Sequence, residues 1–363
     1  MRWKKSRFGA WWWILVAIAT TSAFAASRVN LSIEHAVGER YMDMRLLGTV
    51  EIPDDHIGSI RVDEMSGLAW DEDEQLLYAL SNRGKLFHLK PVFEDGKLVD
   101  TQVVAAFKLR NRYGKKLKKP YRDTEGLDTQ YANNGKRGDS VLLISFEREP
   151  KIARFDNRGY EIERLPLPEP LNDTDRYDTT NHGLEAVTAH PQLGIITAPE
   201  VPLRGSDGVT LYSLDGKQWR IPEFPVADNA IVGMETMPGG DLLLLERAFS
   251  SMLSPIIISL HRITLDNTCR ADTGRNGNTV CASRPVAIMS SSKGWDLDNF
   301  EGLARHQGNR YFIVSDNNRF WLQRTLLSYI EVLPPENAIT KKVPPRPSPA
   351  VTARGERQSG ISW

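Results

Sequence analysis

The chain has 363 residues, with 46 basic and 46 acidic side chains and no net formal charge. Hydrophobic residues make up 40% and charged residues 25%, the balance of an ordinary globular protein. The absence of a basic surplus excludes the usual electrostatic footprint of a nucleic-acid-binding protein.

The N-terminus has the anatomy of a secretory signal peptide. Met1 to Arg7 is basic, Phe8 to Ile18 is apolar, and Ala23-Phe24-Ala25 is a small-x-small cleavage site. Residues 1–25 are therefore expected to be removed, leaving a periplasmic or secreted monomer with no membrane segment. An uncleaved anchor is the competing reading. Only two cysteines follow, Cys269 and Cys281, flanking a Gly/Asn/Asp-rich stretch. In an oxidising compartment they are expected to form a disulfide closing a surface loop. The tail at 333–363 is Pro-rich and polar with no apolar period, and is expected to be disordered.

Between these ends a unit recurs. Ser66-Gly67-Leu68, Glu125-Gly126-Leu127, Glu185-Ala186-Val187, Glu235-Thr236-Met237 and Glu301-Gly302-Leu303 start at steps of 59, 60, 50 and 66 residues. Each is followed by a second apolar run: LLYALS, VLLISFE, GIITAPE, DLLLLER and YFIVSDN. Third and fourth strand candidates follow in most units, and helical periodicity is absent. Four short strands per unit at a fixed period predict an all-β β-propeller of five blades, with a sixth left open. The stretch at 42–52 is placed to complete the last blade and close the ring, giving a propeller domain over residues 42–332. A two-domain or sandwich arrangement is the alternative.

In an antiparallel hairpin the start of one strand lies beside the end of the next. The tripeptide acids Glu125, Glu185, Glu235 and Glu301 are thus expected near Glu147, Glu200, Glu246 and Asp316, which close the second runs. Eight carboxylates would meet at one mouth of the central channel. Crowded like charges demand protons, a cation or arginine. An all-oxygen set points to Ca²⁺ rather than Zn²⁺. Arg83, Arg148, Arg247 and Arg319 follow the second runs and would either cement neighbouring blades or clamp an anionic substrate. His182, just before Glu185, is the candidate for acid–base work, against a loop histidine with no role. No G-x-S-x-G, H-E-x-x-H or P-loop motif is present. The segment ARHQGNR (304–310) approximates an R-H-G-x-R phosphatase signature, but its glycine is displaced and it falls in a predicted turn.

As an ordered set, MSGLAWDEDEQLLYALSNRG, DTEGLDTQ, LISFEREPKIARFD, NHGLEAVTAHP, LLLLERAFS and DNFEGLARH…YFIVSDNNRFWLQRTLLSYIEV resemble the family called esterase-like activity of phytase. The resemblance runs from about Leu46 to Val332. It implies an exported bacterial β-propeller, hydrolysis of a small-molecule ester or phosphoester, and dependence on Ca²⁺ by way of related propeller phytases. It brings no catalytic residue. The family pattern has an acid where this chain has Asn82. Two readings stay open: a Ca²⁺-assisted hydrolase, and a non-enzymatic binding propeller whose acids are structural.

Overall fold

The structure, a computed structural model, describes residues 26–336 apart from 180, 207, 250–253, 266–268 and 270–279. Residues 1–25, expected to be a signal peptide, and most of the Pro-rich tail lie outside the described residues. Among the described residues no helix is long and apolar enough to cross a membrane.

Five four-stranded antiparallel sheets form a closed ring. Their innermost strands are Met65–Asp71, Thr124–Gln130, Leu184–His190, Asn229–Thr236 and Asn299–Arg305, in blades one to five. Each inner strand packs against the inner strands of both neighbouring blades, and blade five returns to blade one. The ring therefore has five blades. Blade five has three strands from its own unit, and its outer strand is Met44–Ile52, paired with Thr325–Val332. The extreme N-terminal strand Ser27–Arg28 adds outside that one.

The second strand of each blade explains its sequence. Leu76–Ser81, Val141–Phe146, Gly194–Pro199, Leu242–Ala248 and Arg310–Asp316 are covered on both faces by adjoining blades, so they read as apolar runs rather than alternating ones. Five apolar clusters fill the five blade-to-blade spaces. One joins blades one and two through Leu80, Leu142 and Phe155, and another joins blades four and five through Leu245, Leu260, Phe300 and Ile313. Truncating one of these leucines to alanine removes roughly 2–5 kcal/mol.

The recurring tripeptide marks a β-bulge. The register slips once in every inner strand: between Met65 and Gly67, Thr124 and Leu127, Leu184 and Ala186, Ile231 and Gly233, and Phe300 and Gly302. The extra residues are Ser66, Glu125, Glu185, Val232 and Glu301. A bulge bends the strand and re-aims its extra side chain. The small residue that follows lets five inner strands converge. A Cβ on Gly67 would sit 2.4 Å from the Glu125 carbonyl oxygen of the next blade. At this level the channel narrows to about 10 Å³ of free space, which separates its two mouths.

Cys269 and Cys281 form a disulfide, packed into the apolar layer between blades three and four. The loop it closes lies mostly outside the described residues.

Candidate functional site: an acid-lined channel mouth

The bulge positions form one tier of the mouth: Ser66, Glu125, Glu185, Val232 and Glu301. A second tier comes from the residues that end or follow the second strands. Asn82, Glu147 and Glu200 receive this position through backbone bonds to Glu64, Asp123 and Gly183, while Ala230 faces Arg247 and Asn299 faces Asp316. The tier is thus Asn82, Glu147, Glu200, Arg247 and Asp316. Glu64 and Asp123, two residues ahead of the bulge, add further carboxylates.

The arginines are committed to these acids. Arg83 reaches Glu64 at 2.8 Å, and Arg319 reaches Asp63 at 2.8 Å and Glu64 at 2.9 Å. Arg148 pairs with Asp123. Arg247, its side chain only 20% exposed, donates to Glu301 at 2.9 Å and Glu200 at 3.5 Å, and also bonds Asn299. The Arg247 and Arg319 bonds cross between blades and tie the ring together, while Arg83 and Arg148 pair within their own blades. Asp316 accepts from Asn82 at 3.0 Å and from the Asn318 backbone at 2.7 Å.

Three carboxylates are left over. Glu125, Glu147 and Glu185 have no side-chain hydrogen bond or ion pair among the described residues, although Glu125 and Glu185 are buried. Burial, then the neighbouring Glu185, Glu301, Glu147 and Asp123, pushes the Glu125 carboxyl well above its usual range. Glu185 is driven up by burial and by Glu200, Glu301 and Glu147. Glu147 rises to about 8, through burial and the nearby Asp123 and Glu200, with Arg148 opposing. Asp316, Glu200 and Glu301 are also raised, chiefly by burial, and Arg247 holds each of them down. At neutral pH the mouth needs protons or an added cation.

The donors fit a hard divalent ion. Asp123, Glu125 and Glu147 each offer a carboxylate oxygen, and these lie within 4.8 Å of one another. All are on blade two, and among the described residues no histidine or cysteine joins them. Oxygen-only donors are the ligand type that hard cations take.

The structure separates the sequence-derived residues. Glu125, Glu147, Glu185, Glu200, Glu301 and Asp316 do meet at one mouth. Glu235 does not. The bulge of blade four is Val232, three residues earlier, so Glu235 lies beyond the constriction at the opposite mouth. There it accepts from the Arg305 and Thr236 backbones and faces Asp128, beside a cavity of about 740 Å³. Glu246 also departs: side chains alternate along a strand, so Arg247 faces the mouth and Glu246 turns into blade four. It lies 3.5 Å from His261, and burial raises its carboxyl to about 7. His182 does stand at the acid mouth, 3.9 Å from Glu200 and 3.5 Å from Asp178, and its Nδ1 is buried without a hydrogen bond. Asp63, Glu64 and Asp123 were not among the expected residues. Their signal was available in VDEMSGL and DTEGL, as acids two or three residues ahead of the bulge.

A closed ring of five four-stranded blades, with bulge carboxylates crowding one end of its channel, defines an acid-mouthed five-bladed β-propeller. The family model Phytase-like, described as esterase-like activity of phytase, matches residues 60–319. The chain belongs to this family. No curated protein matches it.

Proposed function

We propose that the protein is an exported hydrolase of ester or phosphoester bonds that works at the acid mouth with Ca²⁺ held there. The observation that carries this reading is the blade-two trio Asp123, Glu125 and Glu147, two of whose members have no partner of their own. When bound, the ion would supply Lewis-acid polarisation of the ester oxygen and a more acidic water. Asp123, Glu125 and Glu147 would hold it, at a mouth also lined by Glu185 and Asp316. Arg83, Arg148 and Arg319 retain partly exposed guanidinium edges beside their acid partners and orient an anionic substrate. His182, against Glu200, is placed to hold or pass a proton at the edge of the mouth. Export is supported by the N-terminal pattern of residues 1–25 and by the disulfide.

The test is thermal unfolding of the mature chain in EDTA and after Ca²⁺ is restored, with turnover of phosphate monoesters and carboxylate esters measured in parallel. A reversible rise in Tm, with turnover lost in Glu125→Gln, supports the reading. Unchanged Tm and no turnover would overturn it. The arginine–carboxylate pairs favour a second reading, a non-enzymatic ligand-binding propeller in which the mouth is structural. Binding without turnover, unaffected by EDTA, would select it.

A further inference from the structure

The other mouth of the channel opens into the cavity of about 740 Å³ that Glu235 borders. It is a bowl, formed where the inner strands of all five blades turn back into their second strands. An adjoining cavity of about 360 Å³ shares Trp70 and His306 with it and continues outward between blades five and one, to Phe93 and Arg310. Together they make one groove leading from the channel outward, with Trp70 and His306 as the ridge between its two parts.

The bowl is braced blade by blade. The Glu72 N–H donates to the Ala132 carbonyl of blade two at 2.8 Å. Asp128 accepts from the Ala189 N–H of blade three at 2.6 Å and from the Thr188 hydroxyl at 3.1 Å. His190 accepts two N–H groups of its own turn at Nδ1, so its Nε2 donates to the Gly240 carbonyl of blade four at 2.8 Å. Glu235 accepts from the Arg305 N–H of blade five at 3.0 Å. The His306 ring stands edge-on to Trp70 of blade one at 4.4 Å. A ligand entering here meets a surface already in place, which lowers the ordering cost of binding.

Three kinds of side chain face this space. The first are flat aromatic faces. Tyr131 is 63% exposed at the lip, and its φ of +63° is one that a large side chain rarely adopts. Trp70 is fixed by the bond from its Nε1 to Glu72 at 2.7 Å, and the His306 ring stacks on Phe93 at 5.4 Å. The second are unspent polar groups. Asn133 and Gln192 are exposed, and their side-chain amides make no hydrogen bond among the described residues; Arg305 likewise makes no ion pair there. The third are the floor carboxyls, Asp128 and Glu235. Burial, then Asp128, holds the Glu235 carboxyl up to about 8. At neutral pH it is therefore an uncharged acid that both donates and accepts.

This set disfavours ions of either sign. An anion would meet the carboxyls of Glu72, Asp128 and Glu235. A cation would meet a floor that keeps its proton and Arg305 at the edge. Aromatic faces flanked by mixed donors and acceptors instead suit rings with apolar C–H faces and hydroxyls around their edges. The groove extends beyond a single such ring.

We infer that this groove is a binding site for a short oligosaccharide, whose rings lie on Tyr131 and Trp70 and whose hydroxyls meet Asn133, Gln192 and the floor carboxyls. The site is separate from the acid mouth and does not rest on the hydrolytic reading of it.

The experiment is calorimetric titration of the mature chain with three neutral tetrasaccharides: cellotetraose, maltotetraose and the β-1,4-linked tetramer of N-acetylglucosamine. At least one is expected to bind with a sub-millimolar Kd. Tyr131→Ala, an exposed change, should weaken that binding by roughly three- to tenfold. Adding Gln192→Ala, also exposed, should weaken it further. Trp321→Ala removes an aromatic side chain that is 83% exposed on the acid-mouth face, and should bind as the wild type does. No binding of any of the three sugars, full binding by the Tyr131→Ala/Gln192→Ala variant, or equal loss in Trp321→Ala would overturn the site.

Discussion

Glu147→Gln separates a strained carboxylate from a structural one. The Glu147 carboxyl is pushed up to about 8 from its ordinary 4.5, first by burial and then by Asp123 and Glu200. Between those two pH values the folded chain keeps a proton that the unfolded chain has lost. The folded state therefore binds more protons, and its stability falls as pH rises through the window. At about 1.4 kcal/mol per unit, the ceiling is about 5 kcal/mol at pH 8. Partial exposure of the side chain screens the charge, so about 2 kcal/mol is expected. For a propeller spanning residues 42–332 that corresponds to a Tm change of roughly 3 °C. In EDTA at pH 8, Glu147→Gln should raise Tm by this amount, and at pH 5 it should do little. With Ca²⁺ the order should reverse, because the wild type gains about 2.7 kcal/mol at a hundredfold excess over Kd while the variant gains less. Scanning calorimetry at both pH values, with and without Ca²⁺, reads all four conditions. A variant that is less stable than wild type in EDTA at pH 8 would refute the idea that this carboxylate is held at a cost.

Other outcomes follow from the same geometry. Arg247→Met should destabilise the fold by about 3–5 kcal/mol at pH 8, since it strands Glu200 and Glu301, and urea unfolding at pH 5 should show a smaller loss. Gly67→Ala should sharply reduce the yield of folded protein, because its Cβ meets the Glu125 carbonyl oxygen, a backbone atom with little room to move. Burial lowers His261 and His306 to about 4, so both are neutral in the folded state. Their contribution is present above about pH 6.5 and is lost as pH falls toward 4, which a His306→Phe variant should partly prevent in an acid-unfolding titration. Reducing the Cys269–Cys281 bond should lower stability by about 2–3 kcal/mol for a loop of this length, measured by unfolding with and without reductant.

The repeat was legible because two physical constraints act on every blade. Second strands lie between neighbours and must be apolar on both faces, as in LLYALS and LLLLER. Inner strands must bulge and then pass close to one another, which leaves a Gly or Ala after the bulge. Blade four shows where reading by acid fails. Its bulge is Val232-Gly233-Met234, and anchoring on the small residue rather than on glutamate would have placed it. Glu235 offers a carboxylate three residues later, at the wrong end of the channel. Glu246 and Arg247 could not be told apart by position alone, because only the pairing of Ala230 with Arg247 fixes which one faces the mouth. The partners of the arginines were harder still. Asp63, Glu64 and Asp123 stand two or three residues ahead of a bulge, but which arginine each one meets is decided by pairing across strands, which no periodicity along the chain records.

The joint in blade five bears on how the molecule is made. Met44–Ile52 is among the first strands to emerge, yet its partner Thr325–Val332 is nearly the last. For most of synthesis this segment is an apolar strand with an open edge, the kind of surface that pairs wrongly with other chains. Pairing the two ends also makes ring closure a contact of very long sequence separation, which slows folding. A chain of this design gains from being kept extended until all of it is present, and truncating it before Thr325 should leave Met44–Ile52 without its partner and blade five cut to two strands.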